Sequence, residues 1–487
     1  MKRARKSKVP PVPAASAPEG TGLFQRRLSR REFVKSTGLL ALSATSAPAI
    51  LAACGTSPST KSGTKSGPKT LKVLQWSHFV PKYDTWFDPY AQSWGQKNNV
   101  TITVDHINNA LLPARTAAEI SAGSGHDLIE WITSPSQYEP GVLDLSDVVT
   151  EAAKKYGSQI PFCKASSYNP KTNKFYGFCH GYAPDPGDYR KSDFSAVGLP
   201  DGPTTYDQLL TAATAIYKTK KLRLGLGMSP EVDSNMASRA LIWSYGGSIQ
   251  DANENVVFNS PQTVAAVEWM VKAFKQAMSS EVFSWTAASN NQGLVAGQLS
   301  YILNSISAYR TAQTTRPDIA NDIFFVPALK GPSGTGLVGE HVVYVYIIPS
   351  FSKNADTAKQ FILDLVGHYH DAVYNSELYN FPSFTNTGAQ SALFSSGGWL
   401  DNDPFGSHPA NKLQVLKSAQ SWSTNVGYPG PSSAAVGEVF NTFVLPNMMA
   451  SAAKGQASPQ QAVANADSQI KAIFQKWRQK GLVGGSS

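Results

Sequence analysis

The chain has 487 residues, 41% of them hydrophobic, more than one compact core absorbs, so two lobes are the default. Its formal charge of +9 is unevenly placed: ten of the 43 basic but only two of the 34 acidic residues fall in residues 1–53, leaving 33 basic against 32 acidic in the rest. A near-neutral body excludes a broad basic footprint for nucleic acid, and nothing beyond residue 53 reaches the ~18 apolar residues of a membrane span.

The charged N-terminal stretch comes first. Ser29-Arg30-Arg31-Glu32-Phe33-Val34-Lys35 resembles a twin-arginine export signal, and a weak apolar run follows it. Leu51-Ala52-Ala53-Cys54 resembles a lipobox, where a diacylglyceryl group is attached to Cys54 and the leader is cut before it. Residues 1–53 therefore read as a signal peptide that takes no part in the fold. The next segment, GTSPSTKSGTKSGPKT, has no apolar residue to bury, so 54–70 reads as a lipidated cysteine and flexible tether. One acyl chain anchors marginally; two or three hold stably.

From Leu71 the pattern is globular. LKVLQW (71–76) reads as a buried strand, DTWFDPYAQSWGQKN (84–98) has helical spacing, and VTITVDHI (100–107) alternates as a strand does. ARTAAEISAG (114–123) reads as a helix stopped by glycine and HDLIEWI (126–132) as another buried strand. This order predicts α/β architecture with a mainly parallel sheet, in which ligands sit at the carboxyl ends of strands. Cys163 and Cys179 flank a turn-and-strand segment; in an exported chain they are a disulfide or two buried thiols. Further on, helices are predicted over 203–219 with Thr204 or Thr205 as cap, 234–247, 260–278 after a Ser cap, 354–369 with an Asn cap, and 458–477. NDIFFVPAL and EHVVYVYIIP read as strands.

The segments SAGSGHDLIEW, NKFYGFCHGY, DYRKSDFSAVGLPDGPTTYDQLLTAATAI, WSYGGSIQDANENVVFNSPQTVAAVEWM, NQGLVAGQLSYIL and IIPSFSKNADTAKQFI, in that order, resemble the extracellular solute-binding proteins of ATP-driven importers, in the sugar-binding group related to maltose-binding protein. The resemblance runs from about Leu71 to Trp477. Cys179-His180 and Ser300-Tyr301 depart from the family pattern at the hinge and at one strand. The resemblance implies the type II periplasmic-binding-protein fold: lobe one over 71–179 plus 323–370, lobe two over 180–322 plus 371–487, and a cleft between them. It also implies a monomer held at the outer face of the cytoplasmic membrane, capturing a sugar for the permease subunits of an ABC transporter, with no cofactor, metal or nucleic acid.

Sugars present apolar C–H faces ringed by hydroxyls, so a sugar site pairs aromatic platforms with carboxylates and amides. On that basis the expected ligand contacts are Trp131 first, then Trp76 and His78 after the first strand, Glu130, Asp185 after the hinge, Trp243 and Tyr245, Trp285, Asn304, Glu340 with His341, and Tyr428. Three patterns carry nothing. GTGLVG (334–339) leads into a strand rather than a helix. DANENVVFNSPQ (251–262) has Val256 and Gln262 where a calcium loop needs Gly and Glu. His368 and His370 are two apart and diverge on a helix. Two rival functions remain on the sequence alone: a surface glycoside hydrolase, which would use the same aromatics and carboxylates, and a non-catalytic adhesive lipoprotein.

Overall fold

The computed structural model describes residues 69–339 and 341–486. The arginine pair Arg30 and Arg31, Cys54, most of the tether, and Glu340 lie outside the described residues. Strand β1 (Lys69–Trp76), helix α1 (Lys82–Asn98), strand β2 (Val100–Ile107), helix α2 (Leu112–Ala122) and strand β3 (Leu128–Trp131) follow the expected alternation. β1 pairs in parallel with β2 from Lys69↔Val100 to Trp76↔Ile107, and with β3 on its other side. Asn99 ends α1 in the left-handed region at φ 54°, a conformation in which Asn is enriched. This compact turn delivers the chain directly into β2.

Strand β4 (Phe178–Ala183) belongs to the same sheet, and β5 (Gly187–Arg190) opens a second one. Helix α3 (Tyr206–Lys220), strand β6 (Arg223–Gly225), helix α4 (Val232–Ser244), helix α5 (Pro261–Ala277), strand β7 (Leu299–Leu303) and strand β8 (Ile323–Val326) follow. The chain then returns to the first sheet as β9 (Val342–Ile347), helix α6 (Ala355–Gly367) and β10 (Phe381–Pro382). It closes with helices α7 (Ala434–Asn441), α8 (Val444–Ala453) and α9 (Pro459–Gln479). The first sheet runs β10-β4-β9-β3-β1-β2 and the second β8-β5-β7-β6.

The sheets are mixed rather than mainly parallel. β9 is antiparallel to β3 and β4, β10 is antiparallel to β4, and β5 is antiparallel to β7 and β8. β9 enters from the other sheet without a helical crossover, and an antiparallel neighbour needs none. Two pairings also differ from the expected lobe limits: β8 pairs in the second sheet, although 323 onward was expected in lobe one, and β10 pairs in the first, although 371 onward was expected in lobe two.

Local chemistry sets the helix starts. Thr205 Oγ1 accepts from the Gln208 N–H at 3.1 Å, Ser260 Oγ from the Thr263 N–H at 3.2 Å, and Ser458 forms a capping box with Gln461. Asn354 makes no such cap; its Nδ2 donates to Asp127 Oδ1 at 3.2 Å, tying α6 to the start of β3. No disulfide joins Cys163 and Cys179. Both are buried, and the Cys179 thiol points along its own strand at the Gly181 carbonyl, 3.4 Å away. Among the described residues no helix is long and apolar enough to cross a membrane.

Candidate functional site

The ends of β1, β2 and β3 converge on a cavity of about 550 Å³. Phe79 enters it three residues after β1, Asn108 and Asn109 directly after β2, and Trp131, Ile132 and Thr133 at the end of β3. The facing wall comes from the second sheet's side. Pro230, Glu231 and Val232 lie at the start of α4, and Trp285 to Ala288 in the loop beyond α5. Phe440, Asn441 and Phe443, at the junction of α7 and α8, close a third side. The cavity therefore lies at the carboxyl ends of parallel strands, where the sheet leaves a crevice.

Its lining is held from behind. Ser229 Oγ donates to the Trp285 carbonyl at 2.8 Å, fixing the loop that carries the indole. The Trp131 ring packs on Tyr138 at 4.9 Å. Asn235 Nδ2 donates to the Phe440 carbonyl at 3.0 Å, and the Arg239 guanidinium lies 4.7 Å over the Phe440 ring. Phe443 sits at φ 55°, an uncommon backbone state for a bulky residue and one that gathers at functional sites. Trp131 Nε1 and Asn441 Nδ2 are buried donors without a hydrogen-bond acceptor inside the protein.

Trp131 and Trp285 are thus brought together, one from each wall. The other expected contacts among the described residues do not line the cavity. Trp76 is fully buried, 4.0 Å from the His78 ring and 5.9 Å from Tyr344; as the last strand residue it still packs within the sheet. His78 and Glu130 form a buried cluster, with His78 Nδ1 2.5 Å from Asp84, His78 Nε2 3.1 Å from Glu130, and Glu130 also 2.9 Å from His180. Burial alone would lower the His78 imidazole, but Glu130 and Asp84 outweigh it and lift it to about 9. Burial pushes the Glu130 carboxyl up, and the two imidazoles overcome this and hold it below its ordinary range. Burial keeps His180 below its ordinary value. The cluster is an internal tie among strand ends.

Asp185 sits in the Pro184-Asp185-Pro186 crossing between the sheets, 3.2 Å from His341 on the returning segment. Burial raises Asp185 despite His341, and raises Asp188 and Asp233 well above the usual carboxylate range. His341 is raised in turn: burial works against its charge, but Asp185, Asp233 and Glu231 prevail. Asn304 belongs to the row behind this group, donating to Asn290 at 3.3 Å, while Asn290 donates to Asp233 at 2.8 Å. Trp243 donates through Nε1 to the Tyr428 carbonyl at 3.2 Å, the two rings meeting edge to face at 6.1 Å. They and Tyr245 do not line the cavity.

Phe79, Asn108, Glu231 and Asn441 were not expected. The strand-end rule would have found the first two had it been applied to every strand and a few residues past each end. Glu231 and Asn441 carry no such signal, because helix junctions place them.

The family model described as bacterial extracellular solute-binding protein matches residues 86–396, well over half the chain. The chain belongs to the bacterial extracellular solute-binding proteins. That family places it outside the cytoplasm as a binding protein. No curated protein matches it. Among solved structures, this solute-binding protein is similar in fold to maltose-bound T. maritima MalE3 (TM-score 0.70, 16% identity, 83% of this chain and 99% of that one). It is also similar to a sugar transporter from Arthrobacter chlorophenolicus with bound laminaribiose (0.69, 14%, 83% and 99%). A third is an ABC transporter solute-binding protein from Agrobacterium radiobacter in complex with ribitol (0.68, 18%, 83% and 99%). The solute-binding protein thus shares their two-lobed α/β fold.

Proposed function

We propose that the protein captures a carbohydrate in the cavity between its two sheets and delivers it to the permease of an ABC transporter. The observation that carries this is the pair Trp131 and Trp285, facing one cavity from opposite walls. Two aromatic faces suit the two apolar faces of a sugar ring. The maltose, laminaribiose and ribitol held by proteins of the same fold agree with this ligand class.

The pairings support two lobes that part between β4 and β5 and rejoin between β8 and β9, with residues 184–186 and 327–341 as hinge segments. Arg30, Arg31 and Cys54 support export by the twin-arginine route and a lipid anchor on the outer face of the membrane, with the folded part acting as a tethered monomer. A hydrolase needs two carboxylates across one bond. Among the described residues lining the cavity the carboxylate is Glu231, and helix α4 holds both its oxygens. A thermal-shift screen against saccharides, polyols, amino acids and peptides tests the reading. A ligand at ~100 times its Kd adds ~2.7 kcal/mol. Stabilisation by saccharides without release of reducing sugar supports capture; cleavage, or a shift with amino acids or peptides alone, overturns it.

A further inference from the structure

The start of helix α4 is part of the cavity wall. A helix start is ordinarily where an anion is held, because free N–H groups and the positive end of the dipole point at it. In this protein the position is filled from within. Glu231 Oε2 accepts from the Asp233 N–H at 2.6 Å, and Oε1 accepts from the Ser234 N–H at 2.6 Å and from the Ser234 hydroxyl. Glu231 itself lines the cavity, and no lysine, arginine or histidine does so among the described residues. Two further carboxyls stand behind it, Asp233 two residues on and Asp185 on the far side of His341; burial raises all three, and the hydrogen bonds from Ser234 and Asp233 oppose that rise at Glu231. Arg239 lies behind the cavity-lining Phe440 ring, and His341 sits against Asp185 and Asp233; neither lines the cavity.

We infer that Glu231 is a charge-selectivity residue: by occupying the anion position of α4 with its own carboxylate, it restricts the cleft to saccharides without negative charge and turns away uronic acids and sugar phosphates. This rests on the carbohydrate reading above. An acidic saccharide in the cleft would meet one carboxylate at close range and find the helix N–H groups taken. Like charges set against each other across a contact disfavour binding.

The test uses maltose, laminaribiose and cellobiose, each paired with the uronic acid made by oxidising its terminal C6. Calorimetric titration of the purified protein should give, for whichever neutral sugar binds, a Kd at least about tenfold tighter than its acidic partner. In Glu231→Ala the helix start is opened, and that ratio should fall towards one or invert. Glu231→Gln keeps an oxygen for the cap and removes the charge, so it should narrow the ratio even if the alanine variant folds poorly. Acidic and neutral partners binding equally to the unaltered protein would overturn the inference and leave carbohydrate capture standing. An unchanged ratio in a folded Glu231→Gln protein would overturn it too. No binding by any of the six sugars would overturn the carbohydrate reading and this inference with it.

Discussion

At Trp285 an exposed face of the indole meets the cavity while the backbone carbonyl is held by Ser229. Trp285→Ala should therefore raise the ligand Kd about tenfold or more, by loss of one stacking face. Stability should change by about 1 kcal/mol or less, as at a half-exposed position. Trp131 is 1% exposed, so Trp131→Ala should weaken binding and also cost about 3–5 kcal/mol of stability. Calorimetric titration together with urea unfolding separates the two effects. These two tryptophans were legible in the sequence, one as an aromatic closing a buried strand, the other in a polar stretch with no helix to bury it. Trp76 and Trp243 looked the same on paper. What separates them is which way a strand end or helix turn faces in the assembled molecule, and a single segment does not contain that.

Elements, by contrast, were largely legible. Helical spacing located α3, α5 and α9, with Thr and Ser caps at the first two, and β-branched alternation located β2. Partner choice was not, because β9 and β10 find their neighbours across long stretches of chain that no local pattern records. Where such strands meet, charge is buried between them. His78 just past β1 and His180 on β4 each lie within 3.1 Å of Glu130 on β3. His78 holds its proton more tightly folded than unfolded. Its stabilisation is therefore complete below its unfolded value of 6.5 and drains away as pH rises through about 9. The loss amounts to about 3 kcal/mol. Thermal unfolding measured from pH 6 to 10 should show this decline. His78→Gln should be less stable near neutrality by about 3 kcal/mol, since Glu130 loses one buried partner. Its profile should also be flatter over that interval.

At the scale of the molecule the two sheets are joined by short crossings, and Asp185 and His341 pair across the two of them. Such crossings let one lobe rotate on the other with little rearrangement inside either. Small-angle scattering should show the radius of gyration fall when a saccharide is added to saturation. An unchanged value at saturation would mean that the cleft takes its ligand without closing.

The placement of β9 also governs the order in which the protein can be assembled. It is an inner strand, lying between β3 and β4, yet it is synthesised more than 150 residues after the first of them. Until the ribosome has passed Ile347, β3 and β4 each present an unsatisfied edge, and unpaired edges recruit other chains. The second sheet has all four of its strands once Val326 emerges. The later-encoded sheet is therefore the first able to close, while the sheet begun earliest waits. A chain ending at residue 341 should partition into aggregates in a cell-free translation pelleting assay, whereas one ending at Ser486 stays in the supernatant. For a binding protein of the cell exterior this means that the inner edges of β3 and β4 stay open until residue 347 has been made.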